Sequence, residues 1–180
     1  MTSLLGFVLV LTVMMGPLLG GAGIALSAYR RREVREPRVW DDGRGPGLAM
    51  TMLLALLTGV AWMAVWYSWG GGPGHNEYPH WQVFCSVICV AASTVGLGWW
   101  ARWRLSGPLA AAVGSGLGVC LVFAGYGAAT DSTGLWGVGL LFLIVGAVIG
   151  LLPISMAVTR LRGRGLVHGA KREGPPQPVE

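Results

Sequence analysis

The chain is expected to be all-α: a polytopic helical membrane protein with five transmembrane helices, its N-terminus outside and its C-terminus inside. Three observations lead there. Hydrophobic residues make up 53% of the 180 positions and charged residues 12%, with a mean hydropathy of +0.60, which is membrane composition rather than soluble composition. Five apolar runs, at 4–28, 48–69, 82–101, 108–128 and 135–159, each approach the roughly 20 residues a helix needs to cross a hydrocarbon core. All thirteen basic residues fall in the first connection, the third connection and the C-terminal tail, and Lys and Arg collect on the cytoplasmic side.

Taken in order, span 4–28 has no basic residue before it and is followed at once by Arg30, Arg31 and Arg32. A cleaved leader has the opposite layout, and Ala25-Leu26-Ser27-Ala28 is a poor cleavage site, so a retained, N-out helix is expected. Pro17 should kink it. Residues 30–47 carry six Arg and four acids and read as a solvated topogenic connection, with room for a short surface helix before Pro37.

Span 48–69 is entered through Gly45-Pro46-Gly47 and carries Trp62, Trp66 and Trp69 at helical spacing, a stripe for packing or for lipid. Trp69 and Trp81 flank the connection at 70–81, which contains no Lys or Arg. Span 82–101 ends in Trp99-Trp100, so indoles mark both headgroup levels. Arg102-Trp103-Arg104 then leads to span 108–128, where Pro108 suits a first helical turn and Ser106 is the expected cap. Asp131 is expected to cap span 135–159, inside which Pro153 again predicts a kink. Arg160-Leu161-Arg162 closes the fifth span. Residues 1–162 therefore form one five-helix domain, and residues 163–180, with Gly174-Pro175-Pro176-Gln177-Pro178, a disordered tail. The repeated Gly-Pro entries and Arg-x-Arg exits hint at two parallel hairpins, although helix entry and charge placement alone produce the same likeness.

The charge balance has the same origin. Inside segments hold thirteen basic and six acidic residues, a net of +7, and outside segments hold only Glu77 and Asp131. The pI near 9.6 is thus a topogenic signal, with some attraction to anionic lipid, and implies no nucleic-acid partner. Twelve Arg against one Lys, with abundant Gly, Ala and Val, make the composition similar to that of small membrane proteins from high-GC bacteria. That likeness transfers no function; a bacterial cytoplasmic membrane is the expected location.

The spans contain no Asp, Glu, Lys, Arg or His, which argues against proton-driven transport, pumping or voltage sensing. Thr51, Thr58, Ser86, Ser93, Thr94, Ser115 and Ser155 could line a neutral path, or simply bond their own helix backbones. The outer connection holds His75, Glu77 and His80, whose donor types suit a transition metal. Their spacing is not that of a zinc protease, and Pro79 prevents a regular helix from presenting them. Cys85, Cys89 and Cys120 form no Cys-x-x-Cys and read as small apolar core residues. No catalytic residue and no cofactor site is assigned.

Thirty glycines give the positive signal. Gly16 and Gly20, Gly59 with Ala55, Gly96 with Ala92, Gly114 and Gly118, and Gly146 and Gly150 are small-xxx-small pairs that let helix backbones approach closely in lipid. The leading expectation is a non-enzymatic interaction partner, accessory subunit or scaffold, using these faces within the bundle, in a homo-oligomer or against another membrane protein. A small-solute or ion permeation protein comes second. A metal- or thiol-dependent activity on the outer face comes third.

Overall fold

The computed structural model describes residues 4–35, 44–69, 78–131 and 133–170. They form five helices: α1 Leu4–Arg35, α2 Leu48–Tyr67, α3 His80–Trp100, α4 Ser106–Thr130 and α5 Trp136–Ala170. Each is long and apolar enough to cross a membrane. In lipid a chain must satisfy its backbone polar groups internally, and an unbroken helix does so.

Two helices outrun their apolar runs. α1 continues from the expected boundary at 28 through Arg30, Arg31 and Arg32 to Arg35, so this part of the connection is helix rather than solvated loop. α5 continues past 159 to Ala170, so residues 163–170, expected in the tail, extend the helix. Arginine is a good helix former, and cations near a helix C-terminus interact favourably with its dipole. Pro17 and Pro153 both lie inside continuous helices.

The other four helices are arranged around α4. Half of its most apolar stretch is buried, against 6–17% for those of the other four, and it packs against α2, α5, α3 and α1 in decreasing order. The sequence of α4 explains its place. Gly107, Ala110, Ala111, Ala112, Gly114, Ser115 and Gly118 are all buried, and small side chains on every face admit neighbours from several directions.

Contact with α2 is backbone against backbone. A Cβ on Gly59 would lie 2.5 Å from the Ser115 carbonyl oxygen. On Gly114 it would overlap the Met52 carbonyl oxygen, and on Gly118 that of Leu56. Ala55 is fully buried at this crossing. Polar bonds add to the bundle: the hydroxyls of Thr94 and Ser115 meet at 2.9 Å between α3 and α4, and Trp62 Nε1 donates to Ser93 Oγ at 2.8 Å between α2 and α3. Bonds of this kind contribute about 0.6 kcal/mol each in a membrane bundle.

α1 is the most exposed helix. Met15 belongs to an apolar cluster with Cys120, Ala124, Trp136, Leu140 and Ile144, and the Phe7 and Trp136 rings lie 5.7 Å apart. At the other end of α1, near the arginines, Glu33 holds it to the start of α4. Eighteen residues separate Met15 from Glu33, and eighteen separate Ser106 from Ala124. The two helices therefore run antiparallel in matched register, pinned at both ends.

Candidate functional site

The arginine-bearing end holds the densest polar cluster. Glu33 is fully buried. Its Oε1 accepts from the backbone nitrogens of Leu105 and Ser106, at 2.9 and 2.8 Å, and its Oε2 accepts from Ser106 Oγ at 2.5 Å. The first N–H groups of a helix have no partner within it, and the helix N-terminus favours negative charge. Ser106 was the expected cap of α4, but Leu105 holds the cap position and the Ser106 hydroxyl donates to Glu33 instead. The capping bond is supplied by a carboxylate from another helix. Arg30 approaches Glu33 to 3.8 Å and stacks 4.0 Å above the centroid of Trp103, so its charge meets both an anion and a π face.

Arg162 closes the facing end of α3. It is 7% exposed, and its guanidinium donates to the carbonyls of Gly98 and Ala101, each at 2.8 Å, and of Trp103 at 3.4 Å. The last carbonyls of a helix lack intrahelical donors, and an Arg fork fits several at once. Thus two residues expected to be solvated topogenic charges, Glu33 and Arg162, are buried caps. Neither position could be recognised from local pattern, because the groups they satisfy lie far away in sequence.

At the opposite end, Trp66, Trp69 and Trp81 form a mutual cluster with ring centroids 5.9 to 6.3 Å apart. Tyr67 and Tyr78 make an edge-to-face pair at 4.8 Å. Beneath them Gln82 is fully buried, its Nε2 donating to the Trp66 carbonyl and, at 2.9 Å, to that of Trp69. A search for intramembrane charges passes over this residue, because an amide carries none. Burial, followed by the nearby Tyr126 and Tyr67, pushes the Tyr78 hydroxyl pKa above its usual value. Asp131 accepts from Thr133 N at 2.7 Å and Thr133 Oγ1 at 2.5 Å, and from Trp136 N at 2.6 Å. The Thr133 hydroxyl is the leading cause of its lowered pKa, with the backbone donors adding to it.

His75 and Glu77 lie outside the described residues. His80 is exposed at the first position of α3. Cys85, Cys89 and Cys120 are free thiols. Among the described residues no three His, Cys, Asp or Glu side chains are grouped as metal ligands would be. The hydroxyls are largely occupied: Thr51, Thr58, Ser86, Ser93, Thr94 and Ser155 each bond a carbonyl three or four residues back.

The glycines divide into two sets. Gly59, Gly114 and Gly118 lie against the backbone of a neighbouring helix, whereas Gly16, Gly20, Gly96, Gly146 and Gly150 have no neighbouring atom where a Cβ would stand. Gly98, Gly107, Gly127 and Gly139 also make close contacts, although none has another glycine four residues away.

Among the described residues, fold and sites together define a helical bundle whose five helices could each cross a membrane. No family model matches the chain, and neither a curated protein nor a solved structure matches it.

Proposed function

We propose that this is a non-enzymatic, multi-pass protein of a bacterial cytoplasmic membrane, with its N-terminus outside and C-terminus inside. Its role is to associate through open glycine faces on α1 and α5, as an accessory subunit or scaffold, with itself or with another membrane protein. One observation carries the reading: at Gly16 and Gly20 on α1 and at Gly146 and Gly150 on α5, no neighbouring group lies within 4 Å of where a Cβ would stand. A helix gains little from lipid by carrying paired glycines, whereas a partner helix can approach closely there. The one-sided arginines support the orientation. The alternative, a permeation path, has less support, since Thr94 and Ser115 bond each other and Trp62 bonds Ser93.

The test uses the full chain in native membranes. Cross-linking should yield a discrete adduct that Gly16→Leu with Gly20→Leu, or Gly146→Leu with Gly150→Leu, abolishes without changing the melting temperature. The lack of any discrete adduct, or one indifferent to both pairs of substitutions, would discard the reading.

A further inference from the structure

The segment from Arg44 to Gly47 is pinned to the end of α3. Gly45 has φ of +91°, a conformation that side chains rarely adopt, and a Cβ there would collide with the Trp100 carbonyl oxygen. Arg102 N donates to the Pro46 carbonyl at 3.0 Å. These contacts hold Arg44 just beyond the last turn of α3, beside Trp99 and Trp100, which are 54% and 58% exposed. With Val95 and Gly96, one turn earlier in α3, they line a surface groove. Gly96 leaves the floor open, with no atom within 4 Å of a Cβ position.

The groove is lined by an arginine from the segment beyond the helix end, by two indoles in the last turn, and by Val95 and Gly96 in the turn before it. An anionic phospholipid is built in the same order, from phosphate through the glycerol level to acyl chain. A guanidinium pairs with phosphate oxygens in a two-pronged fit, and tryptophan settles at the headgroup level. Among the described residues Arg44 has no ion-pair partner, in contrast to Arg30 with Glu33. We propose that this groove seats one anionic phospholipid, its phosphate on Arg44 and one acyl chain along Val95 and Gly96. The proposal needs only that the helices lie in a bilayer, and stands apart from any protein partner of α1 or α5.

Native mass spectrometry of the full chain, with equimolar phosphatidylglycerol and phosphatidylcholine, tests it. Arg44→Gln should cut phosphatidylglycerol retention about tenfold, the loss of one charge-assisted hydrogen bond to phosphate, and leave phosphatidylcholine retention unchanged. Arg31→Gln removes the same charge from exposed α1 and should change little. Gly96→Phe blocks the chain seat without altering charge and should also lower phosphatidylglycerol retention. Excess inorganic phosphate should not displace the lipid. The proposal is overturned if retention survives Arg44→Gln or Gly96→Phe, if Arg31→Gln costs as much as Arg44→Gln, or if inorganic phosphate competes. Circular dichroism of each variant shows that the fold is intact.

Discussion

The carboxylate of Glu33 lies 2.8 Å from the backbone nitrogen of Ser106, a residue 73 positions away in sequence. This single relationship joins the most exposed helix of the bundle to its central one, at the end where α1 otherwise has little to hold it. Charge, capping and tertiary attachment thereby depend on one buried side chain.

Removing that side chain should be costly. Glu33→Ala leaves two backbone donors, the Ser106 hydroxyl and Arg30 without their acceptor, and should lower stability by about 2–4 kcal/mol. Glu33→Gln retains one acceptor and should lose less. Denaturant titration in detergent measures both, and protease or thiol-labelling access along α1 should rise in the alanine variant.

The glycine sets predict opposite behaviour. Gly114→Leu and Gly118→Leu drive a side chain into the backbone of α2 and should each cost about 3 kcal/mol or more. Gly16→Leu and Gly146→Leu meet open space and should stay within about 0.5 kcal/mol. Melting temperatures in detergent separate the two groups, and equal losses would contradict the packing described.

Gln82 provides a sharper comparison. Gln82→Leu removes the donor to Trp66 and Trp69 and should cost about 1–3 kcal/mol. Gln82→Glu sets a carboxylate against the same two carbonyls and should be worse than the leucine variant. Tryptophan fluorescence during unfolding reports both, since three indoles cluster above the site.

Acid should loosen the turn before α5. The Asp131 pKa is lowered in the folded protein, chiefly by the Thr133 hydroxyl. Its contribution is therefore present above the unfolded carboxylate value, near about 3.9, and lost as pH falls through the lower folded value. Asp131→Asn should flatten this part of the stability profile below about pH 4, measured by thermal melts across pH. An unchanged acid limb would remove Asp131 as its source.

Much of the fold was legible in the residues. Apolar runs located all five helices, and Asp131 was readable as a cap because its target, Trp136, lies only five residues away. Local pattern failed where the partner was remote. Ser106 looks like a cap on its own, yet Glu33 does the capping. Gln82 looks incidental until the carbonyls of Trp66 and Trp69 are found beside it. His75 and Glu77, outside the described residues, remain expectations from donor type.

By itself the sequence determined that there are five apolar helices and that the arginines gather in the first connection, the third connection and the C-terminal tail. Both are local properties: a backbone in lipid must bond itself, and a charge stays out of the hydrocarbon wherever the chain leads next. Only the tertiary structure decided that α4 is the centre, that Gly59, Gly114 and Gly118 touch backbone while Gly16 and Gly146 do not, and that Glu33 and Arg162 are buried caps. A glycine reads the same whether it faces lipid or a neighbouring helix. What distinguishes the two cases is the group brought against it from a distant part of the chain.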